Sequence, residues 1–355
     1  MKKEFKDLLA ALFLNKPRDK IEEKFSKSFY RDNHLLIERQ KLGSLDKFSQ
    51  FLNQIKEHLG NKTGLLLEVG CGFGLHALFW SHSGYKVCAF DVSRQTISVF
   101  NVILNEYNKE TPCYPLTSDA LNIPLPTQST DIIYANEFIS HVPDLSQSLR
   151  EFARILRPGG ELIISDTDKR SLFSFVIWPR QKRAEKRYAE MRKTIIREFL
   201  ERQHLTLTNK EINHVISETI GLTKKEIEQV TQLFVKTRII KLFVNKLKLR
   251  EPFNSEFKYR SPYGQYNERL FTPKQVSSLL QNNFDIIHIF YPIVCSPFAH
   301  LISFKIIRPL DRLLPTSIPL LSAMLVGKYV IICRRKNAAF RDTNKEYTPQ
   351  PCKKS

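Results

Sequence analysis

The sequence predicts an α/β fold built on a mostly parallel sheet, and three observations carry that expectation. Short apolar runs alternate with helical stretches between Leu65 and Asp166. The first run, in "LLLEVGCGFG" (65–74), breaks into three glycines just ahead of a helical stretch. Alternation resumes near the C-terminus, after a long basic stretch, with one more helix and two more strands. Parallel strands need a crossover to return to the same end, and helices between short apolar runs supply it.

Taken in order, residues 1–60 read as helical, with polar breaks near Asn15–Pro17 and Leu42–Ser44. The opening "MKKEFKDLLAALFLNK" resembles a leader, but Glu4 and Asp7 interrupt it and no small-residue cleavage site follows. Phe5, Leu8, Leu9, Leu12 and Phe13 instead fit one helical face. The strand candidates are then Leu65–Val69, Lys86–Asp91, Cys113–Leu116, Asp131–Ala135 and Glu161–Ser165. A helix over 145–156 places Leu145, Leu149, Phe152 and Ile155/Leu156 on one face, and "RPGG" is expected to stop it before the fifth strand.

Residues 167–260 are expected to hold three helices. Two of them open on capping boxes, Thr208 with Glu211 and Thr223 with Glu226, and the last runs unbroken through "KKEIEQVTQLFVKTRIIKLFVNKLKLR". "TPKQVSSLLQNNF" starts a further helix with Thr272 as N-cap, Pro273 at the first position and Gln275 closing the box. The strands "DIIHIFYPI" and "KYVIICRRK" end the fold, and the tail past Asn337 is polar. Two uncharged runs, Ile286–Phe304 and Leu313–Gly327, carry prolines and read as buried or interfacial segments rather than membrane spans. Five regions result: 1–60 (an N-terminal helical segment that would lid a cofactor), 61–166 (the core), 167–260 (a basic helical insertion), 261–337 (the rest of the core with an apolar flap) and 338–355 (a tail).

The chain has 355 residues, 42% of them hydrophobic and 26% charged, which is ordinary for a globular protein. Its net charge of +19 is not ordinary. It suits an anionic partner, with a uniformly lysine-rich background as the alternative. Residues 167–260 hold 22 Lys and Arg against 11 Asp and Glu, so more than half of the excess lies in about a quarter of the length. The six cysteines form no CxxC and no Cys/His pair at metal spacing, which suits a reducing compartment, here the cytoplasm, and argues against structural zinc.

A strand that ends in glycines before a helix makes a ligand pocket at the helix N-terminus. The glycines are Gly70, Gly72 and Gly74, and Leu75 stands where the dinucleotide fingerprint GxGxxG would place its last glycine. Asp91 ends the second strand, 21 positions after Gly70, near the usual spacing of about 20 for an acid that accepts from ribose hydroxyls. Asp119-Ala120 follows the third strand, where an acid can accept from an adenine amino group. Together these describe an adenosine with a carboxylate-bearing tail, and they demand no diphosphate.

The stretches "LLEVGCGFG", "VCAFDVS", "SDALNIPLP", "STDIIYANEFISHVPD" and "LRPGGELIISD", in that order over residues 65–166, resemble the class I S-adenosylmethionine-dependent methyltransferases, specifically the broad ExGCGxG group of small-molecule enzymes. "FTPKQVSSLLQNNFDIIHIF" and "GKYVIICRRK" are similar to that family's last helix and final two strands. The resemblance covers about half of the chain. It implies a Rossmann-like seven-stranded sheet, mostly parallel with the last strand antiparallel, and a helical insertion between strands 5 and 6. It implies S-adenosyl-L-methionine as cofactor and no metal. It also implies a binding set of Glu68, Gly70, Cys71, Gly72, Gly74, Asp91, Val92, Asp119, Ala120 and Asn136. The three glycines would admit the methionine part, and Glu68 would order the loop or face the amino group. Asp91 would take the ribose, Asp119 with the Ala120 backbone the adenine, and Asn136 would border the sulfonium. Capping of backbone amides by Glu68, an ordinary turn at Asp119 and a plain strand end at Asn136 are the alternatives.

Methyl transfer needs alignment of nucleophile, methyl and sulfur, and a base where the acceptor carries a proton. His141 in "FISHVPD" is the candidate base, although Ser140 stands where many relatives carry a first histidine, and a packing or capping role is open. Tyr30, His76, Tyr263, Tyr266 and Arg269 are secondary candidates; a core role suits Tyr30, a core or surface role suits His76, and a plain loop is the default for the last three, with reach to the acceptor as the alternative. The last insertion helix would place Ile227, Val230, Phe234, Ile240, Phe243 and Leu247 on an apolar face flanked by Lys236, Arg238, Lys241, Lys246, Lys248 and Arg250. That composition points to a hydrophobic or lipid-like acceptor reached at an anionic membrane surface, against a solvated face packed on the domain. RNA methylation is the rival reading, disfavoured by "ANEF" where base-amino methylases carry an "NPPY"-type tetrapeptide; a non-catalytic cofactor-binding protein is the third.

Overall fold

Apolar residues at both faces of each short run let the strands bury completely, which is what a sheet covered by helices on two sides demands. The computed structural model describes residues 45–107, 112–172, 178–248, 260–263, 269–292, 323, 324 and 326–337. The expected helix before residue 45, Tyr30, Tyr266, most of the apolar flap and the tail lie outside the described residues. Strands β1 (Leu65–Val69), β2 (Lys86–Asp91), β3 (Cys113–Thr117), β4 (Thr130–Asn136), β5 (Leu156–Thr167), β6 (Phe284–Phe290) and β7 (Lys328–Arg335) form one sheet in the order β3-β2-β1-β4-β5-β7-β6. β1 to β5 pair in parallel, and β7 runs antiparallel to both β5 and β6. The Rossmann-like seven-stranded expectation holds. Part of the uncharged run from Ile286 is therefore sheet, and no helix among the described residues is long and apolar enough to cross a membrane.

Helices α1 (Leu45–Leu59), α2 (Leu75–His82) and α3 (Arg94–Tyr107) pack on one face of the sheet, with Leu52, Ile55, Trp80 and Phe100 wholly buried. The spacing of Phe48, Phe51, Leu52, Ile55 and Leu59 is that of one helical stripe, and all five are buried. Helices α4 (Leu145–Ile155) and α9 (Pro273–Leu280) cover the other face around Phe152, Val276 and Leu280. Asp144 caps α4 by accepting from the Gln147 N–H at 2.8 Å, and the Thr272/Gln275 capping box forms as expected.

"RPGG" does not separate helix from strand. β5 begins at Leu156 and runs through it, with a register shift against β4 between Thr130 and Ile132. The glycine is needed for approach: a Cβ on Gly160 would stand 2.9 Å from the carbonyl oxygens of Arg157 and Asp131.

Between β5 and β6 lie α5 (Trp178–Arg202), α6 (Asn209–Glu218), α7 (Lys224–Thr237) and α8 (Lys241–Lys248). Both expected capping boxes are present. The long last helix is instead two, because Arg238 adopts a left-handed conformation (φ 58) and ends α7. Its N–H donates to the Phe234 carbonyl at 2.9 Å, and its guanidinium binds Glu211 at 2.8 Å, which fixes the break. The expected apolar face packs inward, as the alternative to a membrane-facing helix had it. Ile227, Val230, Phe234, Ile240 and Leu247 are buried with Ile195, Ile196, Val215 and Val244 in a core belonging to the insertion itself.

Candidate active site at the carboxyl ends of the strands

β1 delivers the chain into three left-handed glycines, Gly70 (φ 68), Gly72 (φ 54) and Gly74 (φ 81). They serve different ends. A Cβ on Gly74 would lie 2.0 Å from the Phe100 ring, and one on Gly70 3.0 Å from Phe138, so both are set by packing. Among the described residues, a Cβ on Gly72 meets nothing within 4 Å. Gly72 is thus the position where backbone faces open space. Cys71 donates its N–H to the Phe90 carbonyl at 3.0 Å, and burial, with Glu68 and Asp91 adding to it, pushes its thiol far above the usual range. A neutral, buried thiol packs; it does not attack.

Asp91, at the end of β2, reaches into this loop. Its Oδ2 accepts from the Gly72 N–H at 3.2 Å and its Oδ1 from the Ser93 N–H at 2.9 Å. Burial raises its pKa, opposed by these backbone donors. The carbonyl of Asp91 accepts from the Ser118 N–H at 3.1 Å, which draws the end of β3 alongside. Val92 is exposed at 65%. Asp119 is exposed, and its Oδ1 accepts from the Leu121 N–H at 3.0 Å, so its side chain shapes a turn; Ala120 beside it is buried.

Glu68 is buried under the loop, with Oε1 3.9 Å from Nδ1 of His76. His76 is itself buried against Phe48 and Tyr134, ring centroids 5.0 and 5.5 Å away, which is the core role expected of it. At the end of β4, Asn136 pairs with Ser165 in the sheet, and its Oδ1 is buried and accepts no hydrogen bond among the described residues. Glu137 then turns the chain in a left-handed conformation (φ 50), its N–H donating to the Ser165 carbonyl at 2.7 Å and its carboxylate meeting Lys328 at 2.9 Å. A non-glycine residue held there costs conformational energy that its neighbours must offset.

His141 is exposed on the next turn, and its N–H donates to the Phe138 carbonyl at 3.0 Å. Two buried residues fix this turn in a role that the sequence did not show. Asp166 Oδ2 accepts from the Ser140 N–H at 3.2 Å, and burial pushes its pKa up to about 6, with His141 and Lys328 opposing the shift and Glu137 adding to it. Arg269 donates its backbone N–H to the Ser140 carbonyl at 3.1 Å and its Nη2 to the Val142 carbonyl at 2.7 Å. It is 2% exposed, so rather than standing in a plain loop or reaching an acceptor it braces the residues on either side of His141. Tyr263 is exposed. Just past β5, buried Asp168 is chelated by Arg170 through Nε and Nη2 and accepts from the Tyr291 hydroxyl at 2.8 Å, tying the end of β5 to the residue after β6.

The strand ends therefore bring Gly72, Asp91, Ala120 and Asn136 to the edge at which ligands bind in open α/β sheets. An open glycine, a carboxylate anchored beside it and an unmatched buried amide oxygen fit an adenosine that carries an amino-acid tail. No cluster that could hold a metal ion is present among the described residues.

Comparison with known proteins matches residues 67–164 to the family described as "Methyltransferase domain". "Methyltransferase GfsG" of Streptomyces halstedii is 36% identical over 115 residues, 32% of this chain and 41% of that protein. "Ubiquinone biosynthesis O-methyltransferase" of Stutzerimonas stutzeri is 27% identical over 118 residues, covering 33% and 50%. "Malonyl-[acyl-carrier protein] O-methyltransferase" of Yersinia pestis is 32% identical over 110 residues, covering 30% and 38%. The chain spans half or less of the length of these relatives.

Proposed function

We propose that the chain is a class I S-adenosylmethionine-dependent methyltransferase, its cofactor domain lying over the matched residues 67–164, and that it transfers a methyl group to a small-molecule acceptor of hydrophobic or lipid-like character. The observation that carries the reading is Gly72, open to a ligand on one side and held on the other by Asp91. S-adenosylmethionine, when bound, supplies an electrophilic methyl group on a positively charged sulfur. Gly70, Cys71, Gly72 and Gly74 shape its cradle over Glu68, and Asp91 with Val92 receives the ribose. Asp119 and Ala120 border the base, and Asn136 offers its unmatched Oδ1 to the polar end.

His141 takes the acceptor's proton on this reading. Its exposure leaves it open to an acceptor, and buried Asp166 fixes the turn beside it by accepting from the Ser140 N–H. Relatives named as O-methyltransferases support an oxygen acceptor, whose proton needs such a base. The insertion of residues 167–260 covers the acceptor, residues 1–60 lid the cofactor, and the chain works in a reducing cytoplasm in peripheral contact with membrane. Four free, buried cysteines (Cys71, Cys88, Cys113 and Cys333) support that compartment.

The test is titration calorimetry of the full chain with S-adenosylhomocysteine, followed by transfer of labelled methyl to a panel of phenolic, lipidic and RNA acceptors. Micromolar binding with transfer to an apolar hydroxyl compound is expected. Absence of cofactor binding, or transfer to RNA alone, overturns it.

A further inference from the structure

We infer that the corner between α7 and α8 is a membrane-docking element that inserts Ile239 and Leu242 into an anionic lipid surface. These are the two most exposed large hydrophobic residues described, at 68% and 82%, and they lie three positions apart. Single exposed aliphatics are common on protein surfaces and mean little. Here the pair sits in a run, residues 229–250, that contains no Asp or Glu and six Lys and Arg. Lys236, Arg238, Lys241 and Lys246 are all exposed around it.

The corner is built rather than loose. Arg238 takes a left-handed conformation without being glycine, its guanidinium lies 5.5 Å from the Phe234 ring centre and bonds Glu211, and the Ile239 N–H donates to Thr237 Oγ1 at 3.2 Å. That turn sends Ile240 inward, 3% exposed, and leaves Ile239 outside. Backbone strain of this kind persists only where the surroundings enforce it.

Aliphatic tips within a basic ring match a bilayer whose apolar interior lies beneath anionic headgroups. A nucleic acid would use the charges and leave the aliphatics in water, so the pair favours lipid. The inference gives a location to the membrane contact of the proposed function, and rests on that reading for its purpose but not for its test.

The test is co-sedimentation of the full chain with vesicles of phosphatidylcholine alone and of phosphatidylcholine with phosphatidylglycerol. Binding to the anionic vesicles, weakened by salt, is expected. The double variant Ile239→Ser/Leu242→Ser should bind them at least tenfold more weakly, by the loss of two inserted side chains. The triple variant Lys236→Gln/Lys241→Gln/Lys246→Gln should lose about fivefold per residue. Affinity for S-adenosylhomocysteine should stay at the wild-type value in both, which separates failure of docking from failure of the cofactor site. No binding to anionic vesicles, or equal binding by wild type and the Ile239/Leu242 variant, overturns the inference, as does binding only to an added RNA oligonucleotide.

Discussion

Asp91 holds the backbone of Gly72 by a 3.2 Å hydrogen bond across the mouth of the glycine loop, so one carboxylate both shapes the loop and stands beside its open side. Asp91→Asn should therefore weaken S-adenosylhomocysteine about 10- to 100-fold, the worth of one or two charge-assisted hydrogen bonds. Calorimetry reads it directly, and an unchanged affinity removes Asp91 from the site.

The glycines divide by what surrounds them. Gly74→Ala should destabilise the fold by about 2–5 kcal/mol, since it adds a clash with Phe100 to left-handed strain. Gly72→Ala should cost only about 1–2 kcal/mol in stability, yet lose cofactor affinity. Chemical denaturation of both variants, paired with calorimetry of Gly72→Ala, checks the split. Equal losses of stability would show that both glycines serve packing alone.

His141→Gln should lower turnover about a hundred- to ten-thousand-fold while leaving S-adenosylhomocysteine affinity intact. Single-turnover methyl transfer together with calorimetry separates the two effects. Loss of neither would remove His141 from the site.

Asp166 gives a signed dependence on pH. Its carboxyl titrates near 6 in the fold, above the ordinary 3.8, so the folded state holds the proton more tightly than the unfolded one. The resulting stability is full below about pH 4 and is lost as pH rises through about 6. Relative to Asp166→Asn, the wild type should lose on the order of 3 kcal/mol over that window. Denaturant melts of both proteins at pH 4, 5, 6 and 7 measure the difference, and a flat one rejects the burial argument.

Arg269→Met should leave the Ser140–Val142 turn less fixed and cost about 2–3 kcal/mol, because a buried carbonyl loses a charged donor. If Arg269 positions His141, kcat should fall with little change in cofactor affinity, and Arg269→Lys should restore only part of it. A drop in stability with kcat unchanged would make Arg269 purely structural.

The sheet was legible because it depends on local pattern. Each parallel strand is a short apolar run, and β1 and β2 begin and end where the sequence places them. The three capping boxes were legible for the same reason, since Thr and Glu or Gln at a fixed spacing meet within one helical turn. The break at Arg238 was not. No Gly or Pro marks it, and it depends on Glu211 from another helix. Arg269 and Asp166 were missed as supports of His141 because the contacts run between segments about 130 and 25 residues apart, a separation no local spacing encodes. "RPGG" misled because glycine reads as a stop, whereas here it lets β5 approach the Asp131 backbone.

The core of α5 to α8 shares none of its buried residues with the two cores that flank the sheet. Substitutions on the outer surface of these helices thus leave the packing beneath the glycine loop untouched. Selection can rework what the insertion touches, exchanging one target surface for another, while the machinery at the strand ends is inherited unaltered.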